Sequence, residues 1–138
     1  MADAPRRRAR ELVLQALYAC EIGENNPEEV QRRIIADDSL SARNLEFARG
    51  MFTLVRQHQE WADAQITRLA TNWDISRIAD LDRIVLRMAI VELNHMPDTP
   101  VKVAINEAIE LAKKFSTSES SSFINGILDS FAKKAASE

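Results

Sequence analysis

The stretch from Ile78 to Leu93, IADLDRIVLRMAIVEL, carries apolar residues on nearly every side when it is wound at about 100° per residue. A helix that is apolar all round is a buried helix. Its rise of roughly 24 Å is too short, and its charge too high, for a membrane span, so other helices must surround it. Asp80, Arg83 and Arg87 fall together on the one side left polar, which is expected to reach the surface. Asp82 and Glu92 fall among apolar neighbours, where a carboxylate must find a partner.

Composition agrees with a helical chain. The protein has 138 residues, enough for one domain (1–138) that buries a core without disulfides or a structural metal. Its 46% hydrophobic content with only three Gly and four Pro disfavours a strand-rich fold, which needs many turns. An all-α protein is expected. The single Cys20 lies at helical spacing from Leu12, Val13, Ala16 and Leu17 and reads as a small core residue, which fits a reducing cytoplasm. No apolar run approaches the length of a membrane span, and no signal peptide is expected.

The net charge of −3 is unevenly spread: residues 1–10 carry +3, through Arg6, Arg7, Arg8 and Arg10 against Asp3, and the remainder carries −6. Contact with a polyanion should therefore be local to the N-terminus. The acidic remainder suits a basic partner.

Working outward, a first helix is predicted from about Arg6, after Pro5, to Ile22, with Gly23 as its stop. Ala9, Leu12, Val13, Ala16, Leu17 and Cys20 form its core stripe. Tyr18 falls almost opposite, with Arg7, Glu11 and Leu14, and is expected to be exposed. An outward aromatic beside arginines offers single-stranded RNA a ring for stacking and guanidinium groups for phosphate. The same residues equally describe a solvated helix start with Tyr18 packed under a loop.

Asn26, Pro27, Glu28 and Glu29 open a short second helix with Val30, Ile34 and Ile35 as its apolar edge. From Ser41 to Asn72 the pattern reads as one long helix or two. Trp61 and Trp73, with nothing basic beside them, read as packing residues.

After the central helix, Thr99 is the predicted cap and Pro100 the first residue of a helix with the stripe Val101, Ala104, Ile105, Ala108, Leu111, Ala112 and Phe115. Lys102, Asn106 and Lys113 line its polar side, and Glu110 stands four residues before Lys114, an ion-pair spacing. A final helix is predicted from a capping box of Ser116 and Glu119, with Ile124, Ile127, Leu128 and Phe131 inside and Phe123 at the stripe's edge. Gly126 in that helix costs roughly 1 kcal/mol relative to Ala, and close packing is the expected reason.

No catalytic constellation is present. His58 and His95 are isolated in sequence, neither belongs to an HExxH pair, and Gly23, Gly50 and Gly126 form no phosphate-cradling loop. Neither an enzyme nor a metal or cofactor is expected.

The segments RRRARELVLQALY, DRIVLRMAIVEL, PVKVAINEAIELAKKF and FINGILD, in this order and spacing, resemble the NusB family of bacterial transcription antitermination factors. The resemblance covers nearly all of the chain, loosely over residues 24–72. It implies a non-catalytic fold of about seven helices in two small bundles around a buried central helix. It also implies binding to the boxA element of ribosomal RNA leader transcripts, cooperatively with NusE, a small-subunit ribosomal protein, within an elongation complex that holds other Nus factors. Carried over residue by residue, it assigns RNA contacts to Arg6, Arg7, Arg8, Arg10, Tyr18, Lys113, Glu119 and Phe123. Where the family often has a basic residue immediately before this phenylalanine, Ser122 stands here, which implies weaker RNA contact or compensation by Lys114. The start of the central helix, with Asp80, Asp82 and Arg83, is the implied NusE surface. Two alternatives are a helical homodimer that uses the same faces on itself, and the related N-terminal domain of ribosomal RNA cytosine methyltransferases. The second is not expected, because the sequence stops at Glu138 without a cofactor-binding glycine motif.

Overall fold

The computed structural model describes residues 3–23, 26–36, 40–70 and 78–137. Trp73 lies outside them. They form seven α-helices and one π-helix, with no strand among them, so the all-α expectation holds. Two compact units divide the chain, Met1–Arg56 and Gln57–Glu138.

In the first unit, α1 (Asp3–Ile22) buries Ala9, Leu12, Val13, Ala16 and Leu17 as predicted, while Cys20 is half-buried. Burial raises the Cys20 thiol pKa, against the charge and hydrogen bond of Arg56, so it is no reactive thiolate. The α1 backbone closes on Gly23, whose N–H reaches the Ala19 carbonyl at 3.0 Å. Asn26 caps α2 (Pro27–Val30) as expected, its Oδ1 accepting from the Glu28 amide at 2.8 Å. The single α-turn then widens into a π-helix, Gln31–Ala36, whose Ile35 is buried. The stretch after Ser41 is two helices, α3 (Ala42–Gln57) and α4 (Gln59–Leu69), broken at His58, whose ψ of 18° departs from the helical value.

In the second unit, α5 (Asp80–His95) is buried without interruption from Ile84 to Glu92 and packs against α4, α6 (Val101–Phe115) and α7 (Ser118–Ser137). One reading of its polar side is corrected. Arg87 does not reach the surface: only 5% exposed, it donates through Nε and Nη2 to the Asp63 carboxylate at 2.6 and 2.9 Å. The reason is that α4 covers the side that the sequence of α5 alone leaves polar. Asp80 and Arg83 do pair near the surface, at 2.7 Å.

The caps of α6 and α7 also differ from expectation. Pro100 occupies the cap position of α6 and Thr99 makes no capping bond, because the helix begins one residue later, at Val101. The cap of α7 is Thr117, whose hydroxyl accepts from the Ser120 amide at 3.2 Å, so the box of Ser116 and Glu119 does not form. Along α6, Glu110 pairs with Lys113 at 3.6 Å, and Glu107 is buried where the pattern gave only an apolar stripe.

His58 and His95, distant in sequence, stack face to face with centroids 3.9 Å apart. Trp61 makes T-shaped contacts with His95 and Phe131, with centroids 5.3 and 6.1 Å away, consistent with a packing role. Burial, reinforced by the charge of His58, holds the His95 imidazole below its ordinary pKa. The unfolded chain thus binds protons here at a pH where the folded one does not, and stability falls with acidification. Melting temperatures should drop between about pH 7.5 and about pH 5.5, around the ordinary imidazole value, and His95→Asn should flatten that part of the profile.

Gly126 corrects another expectation. It is exposed, and a Cβ built on it would meet nothing within 4 Å, so no close packing explains it. Gly126→Ala is therefore expected to raise the unfolding free energy by about 1 kcal/mol, read from denaturant melts with an unchanged m-value.

Candidate nucleic-acid interface

The arginines of α1 divide into kinds that their spacing does not reveal. Arg6 lays its guanidinium over the Phe47 ring of α3, 4.2 Å from the centroid, and its Nε donates to Asn44 Oδ1 at 2.9 Å. Asn44 is itself buried, with its backbone N–H on the Ser41 hydroxyl at 3.2 Å. Arg10, one turn on, lies 5.0 Å from the same ring and is only 3% exposed. Arg7 is half-exposed, and Arg8 is exposed with Nη1 on Glu11 Oε1 at 3.2 Å.

These positions correct the reading of the face opposite the core stripe. Arg10, Glu11 and Leu14 are buried, and Tyr18 is half-buried rather than exposed. The strip of α1 left to solvent runs instead through Arg8, Gln15 and Ile22, seven residues apart. A single helix's periodicity finds its most apolar side, and it has no way to show that further elements cover the flanks. Phe47 and Asn44, which the sequence reading missed, leave only weak signals: an aromatic beside the α3 stripe and a polar residue one turn after Ser41.

The second unit holds the remaining sequence-derived residues. Lys113 and Lys114 are exposed in the last turn of α6, Lys114 with its ammonium 5.6 Å from the Phe115 centroid. Glu119 is exposed in the first turn of α7, and Phe123 is half-buried one turn on, as its edge position predicts. Ser122 beside it is exposed.

Of the residues assigned to a protein partner, Asp80 is exposed and Arg83 half-exposed, but Asp82 is not on the surface. At 7% exposure it accepts a hydrogen bond from the Ser120 hydroxyl at 2.7 Å. Ser120 also sits 3.2 Å from the Ser116 hydroxyl and caps on Thr117, so Asp82 ties the start of α5 to the start of α7. The pattern of α5 puts Asp82 among apolar neighbours with a need for a partner, and Ser120 is that partner; what is corrected is the surface role implied by the resemblance. Asp82 Oδ1 and Arg83 Nε are buried with no hydrogen-bond partner among the described residues.

Among the described residues no group of His, Cys, Asp and Glu is arranged to hold a metal, and no helix is long and apolar enough to cross a membrane. The arrangement offers charge, aromatic edges and hydrogen bonds.

The curated proteins that this chain resembles in sequence are transcription antitermination proteins, a class that does not catalyse. The chain belongs to the NusB family, whose family model matches residues 7–133. It is 44% identical over 131 residues to the transcription antitermination protein NusB of Dehalococcoides mccartyi strain CBDB1, covering 95% of this chain and 92% of that protein. The NusB of Symbiobacterium thermophilum is 43% identical, with 91% and 87% covered. Among solved structures, T. maritima NusB superposes with a TM-score of 0.86 at 37% identity, covering 94% of this chain and 92% of that one. A structure of the antitermination factors NusB and NusE in complex with dsRNA matches in fold, with a TM-score of 0.84 at 22% identity and 94% and 97% covered.

The division among the arginines has a thermodynamic signature. Arg10→Ala is expected to lower the unfolding free energy by about 2 kcal/mol, since a buried charged donor and its packing are removed. Arg7→Ala, half-exposed, should stay within about 0.5 kcal/mol of the parent. Urea melts of the two variants measure the difference.

Proposed function

We propose that this chain is a cytoplasmic antitermination factor that binds the single-stranded boxA element of ribosomal RNA leader transcripts together with NusE. The observation that carries this is the arginine cluster at the start of α1, in a chain that is otherwise acidic: Arg6 is oriented by Phe47 and Asn44, and Arg7 and Arg8 stand at or near the surface. Guanidinium groups supply phosphate contacts, and Tyr18 of the same helix, half-exposed, supplies a ring for an unstacked base. In the second unit Lys113, Lys114, Glu119 and the half-exposed Phe123 are the assigned RNA contacts. Family membership supports both sets, and so does the NusB and NusE complex with dsRNA, whose NusB shares this fold.

NusE, a ribosomal protein expected to be basic, suits the acidic remainder of the chain. Asp80 and Arg83 are its assigned contacts, and Asp82 supports them from beneath through Ser120. In this reading residues 1–138 act as one RNA-binding domain, and the remaining Nus factors join through the elongation complex.

The test separates charge from stacking. Arg7→Ala with Arg8→Ala should weaken binding of a boxA RNA and flatten the log–log salt dependence by about 0.7 for each phosphate no longer neutralised. Tyr18→Ala should cost about 1 to 3 kcal/mol of binding with the slope unchanged. Wild-type affinity in both folded variants would falsify the reading for α1. Light scattering with NusE and boxA RNA, singly and together, should show a ternary complex. A homodimer indifferent to both would contradict the reading.

A further inference from the structure

The family reading treats the arginines of α1 as equivalent ligands of RNA, and the structure divides their labour. Arg6 and Arg10 stand four residues apart on α1, a spacing at which like charges repel. Both nevertheless converge on one ring, Phe47 of α3, at 4.2 and 5.0 Å from its centroid. The face of an aromatic ring is the negative side of its quadrupole, so it can offset that repulsion. Asn44, buried on the same helix, takes Arg6 Nε at 2.9 Å and so fixes the plane of the guanidinium as well as its place. Arg10 is almost wholly buried, whereas Arg6 is half-exposed.

We infer that Phe47 is a positioning residue for RNA binding: with Asn44 it holds Arg6 in place as a phosphate anchor, and Arg10 acts through that assembly without touching RNA. This rests on the reading of α1 given under Proposed function and makes it more specific. A long arginine side chain ordinarily loses rotamer freedom when it binds, and a side chain already ordered has less to lose. Phe47 thus contributes affinity while carrying no charge. Arg10, which supplies a cation to the ring and volume to the interior, contributes stability and geometry.

The experiment uses the full chain and a fluorescein-labelled boxA RNA, titrated at several salt concentrations, with melting curves for every variant. Phe47→Leu keeps an apolar side chain and removes the π face. It should weaken binding about threefold to tenfold, with the salt slope unchanged because Arg6 still neutralises its phosphate once bound. Phe47→Trp, which restores a π face, should recover most of that affinity. A general packing role would give no such recovery. Arg10→Gln should leave the salt slope at the wild-type value, whereas removing a side chain that neutralises a phosphate would lower it by about 0.7. Wild-type affinity in a folded Phe47→Leu protein overturns the inference, as does failure of Phe47→Trp to recover binding or a lowered slope in Arg10→Gln. Should Phe47→Leu not fold, the Phe47→Trp affinity and the Arg10→Gln slope still decide. If the parent protein does not bind boxA RNA, the reading of α1 itself fails. Parent binding alongside an unaffected Phe47→Leu fails this inference alone.

Discussion

A guanidinium placed in the middle of an apolar helix must be matched by a carboxylate, and in this protein the match of Arg87 with Asp63 governs how α4 lies on α5. Breaking a pair this deep leaves an uncompensated charge, which costs far more than a surface ion pair contributes. Asp63 keeps part of its carboxylate in water, so the pair sits at the margin of the core. That position lowers the desolvation penalty while the two-pronged geometry still fixes direction. Ile84 to Glu92 can then be buried together, because Arg87, the cation in that run, has its partner on the neighbouring helix; the other charged residue of the run, Glu92, is 2% exposed.

The same logic of partnered polar groups recurs at the start of α5. Asp82 is fixed by Ser120, and Ser120 by Thr117, so the first turns of two helices share one hydrogen-bonded cluster. Asp80 and Arg83 lie beside that cluster within a turn of backbone whose direction is already settled.

What is legible in the sequence follows from how local each feature is. The all-round burial of α5, the stripe from Ala9 to Leu17, the Asn26 cap and the edge position of Phe123 depend on spacing within one helix, and all four are found. Periodicity misplaces Arg87, Arg10 and Tyr18, and the resemblance misplaces Asp82, for a common reason: each side chain's environment is set by a residue 24 to 38 positions away, or by an element laid across a flank, and neither a repeat within one helix nor a matched motif reports that. The arginine cluster is visible as charge. Its internal division is not, since it depends on the ring of Phe47 and the amide of Asn44.

The π-helix from Gln31 to Ala36 bears on the history of the chain's length. Such a helix commonly arises as an α-helix that has accepted one additional residue without losing its continuity. In an α-helix each residue turns the next side chain by about 100°, so residues four apart share a face, whereas the i to i+5 bonding of a π-helix brings residues five apart into line. Val30 and Ile35, five positions apart, are both buried. The wider turn is what lets residues at that spacing face the same way. From Val30 to Ala36 the spacing of the buried residues, five rather than four, is therefore matched to the width of the turn that carries them.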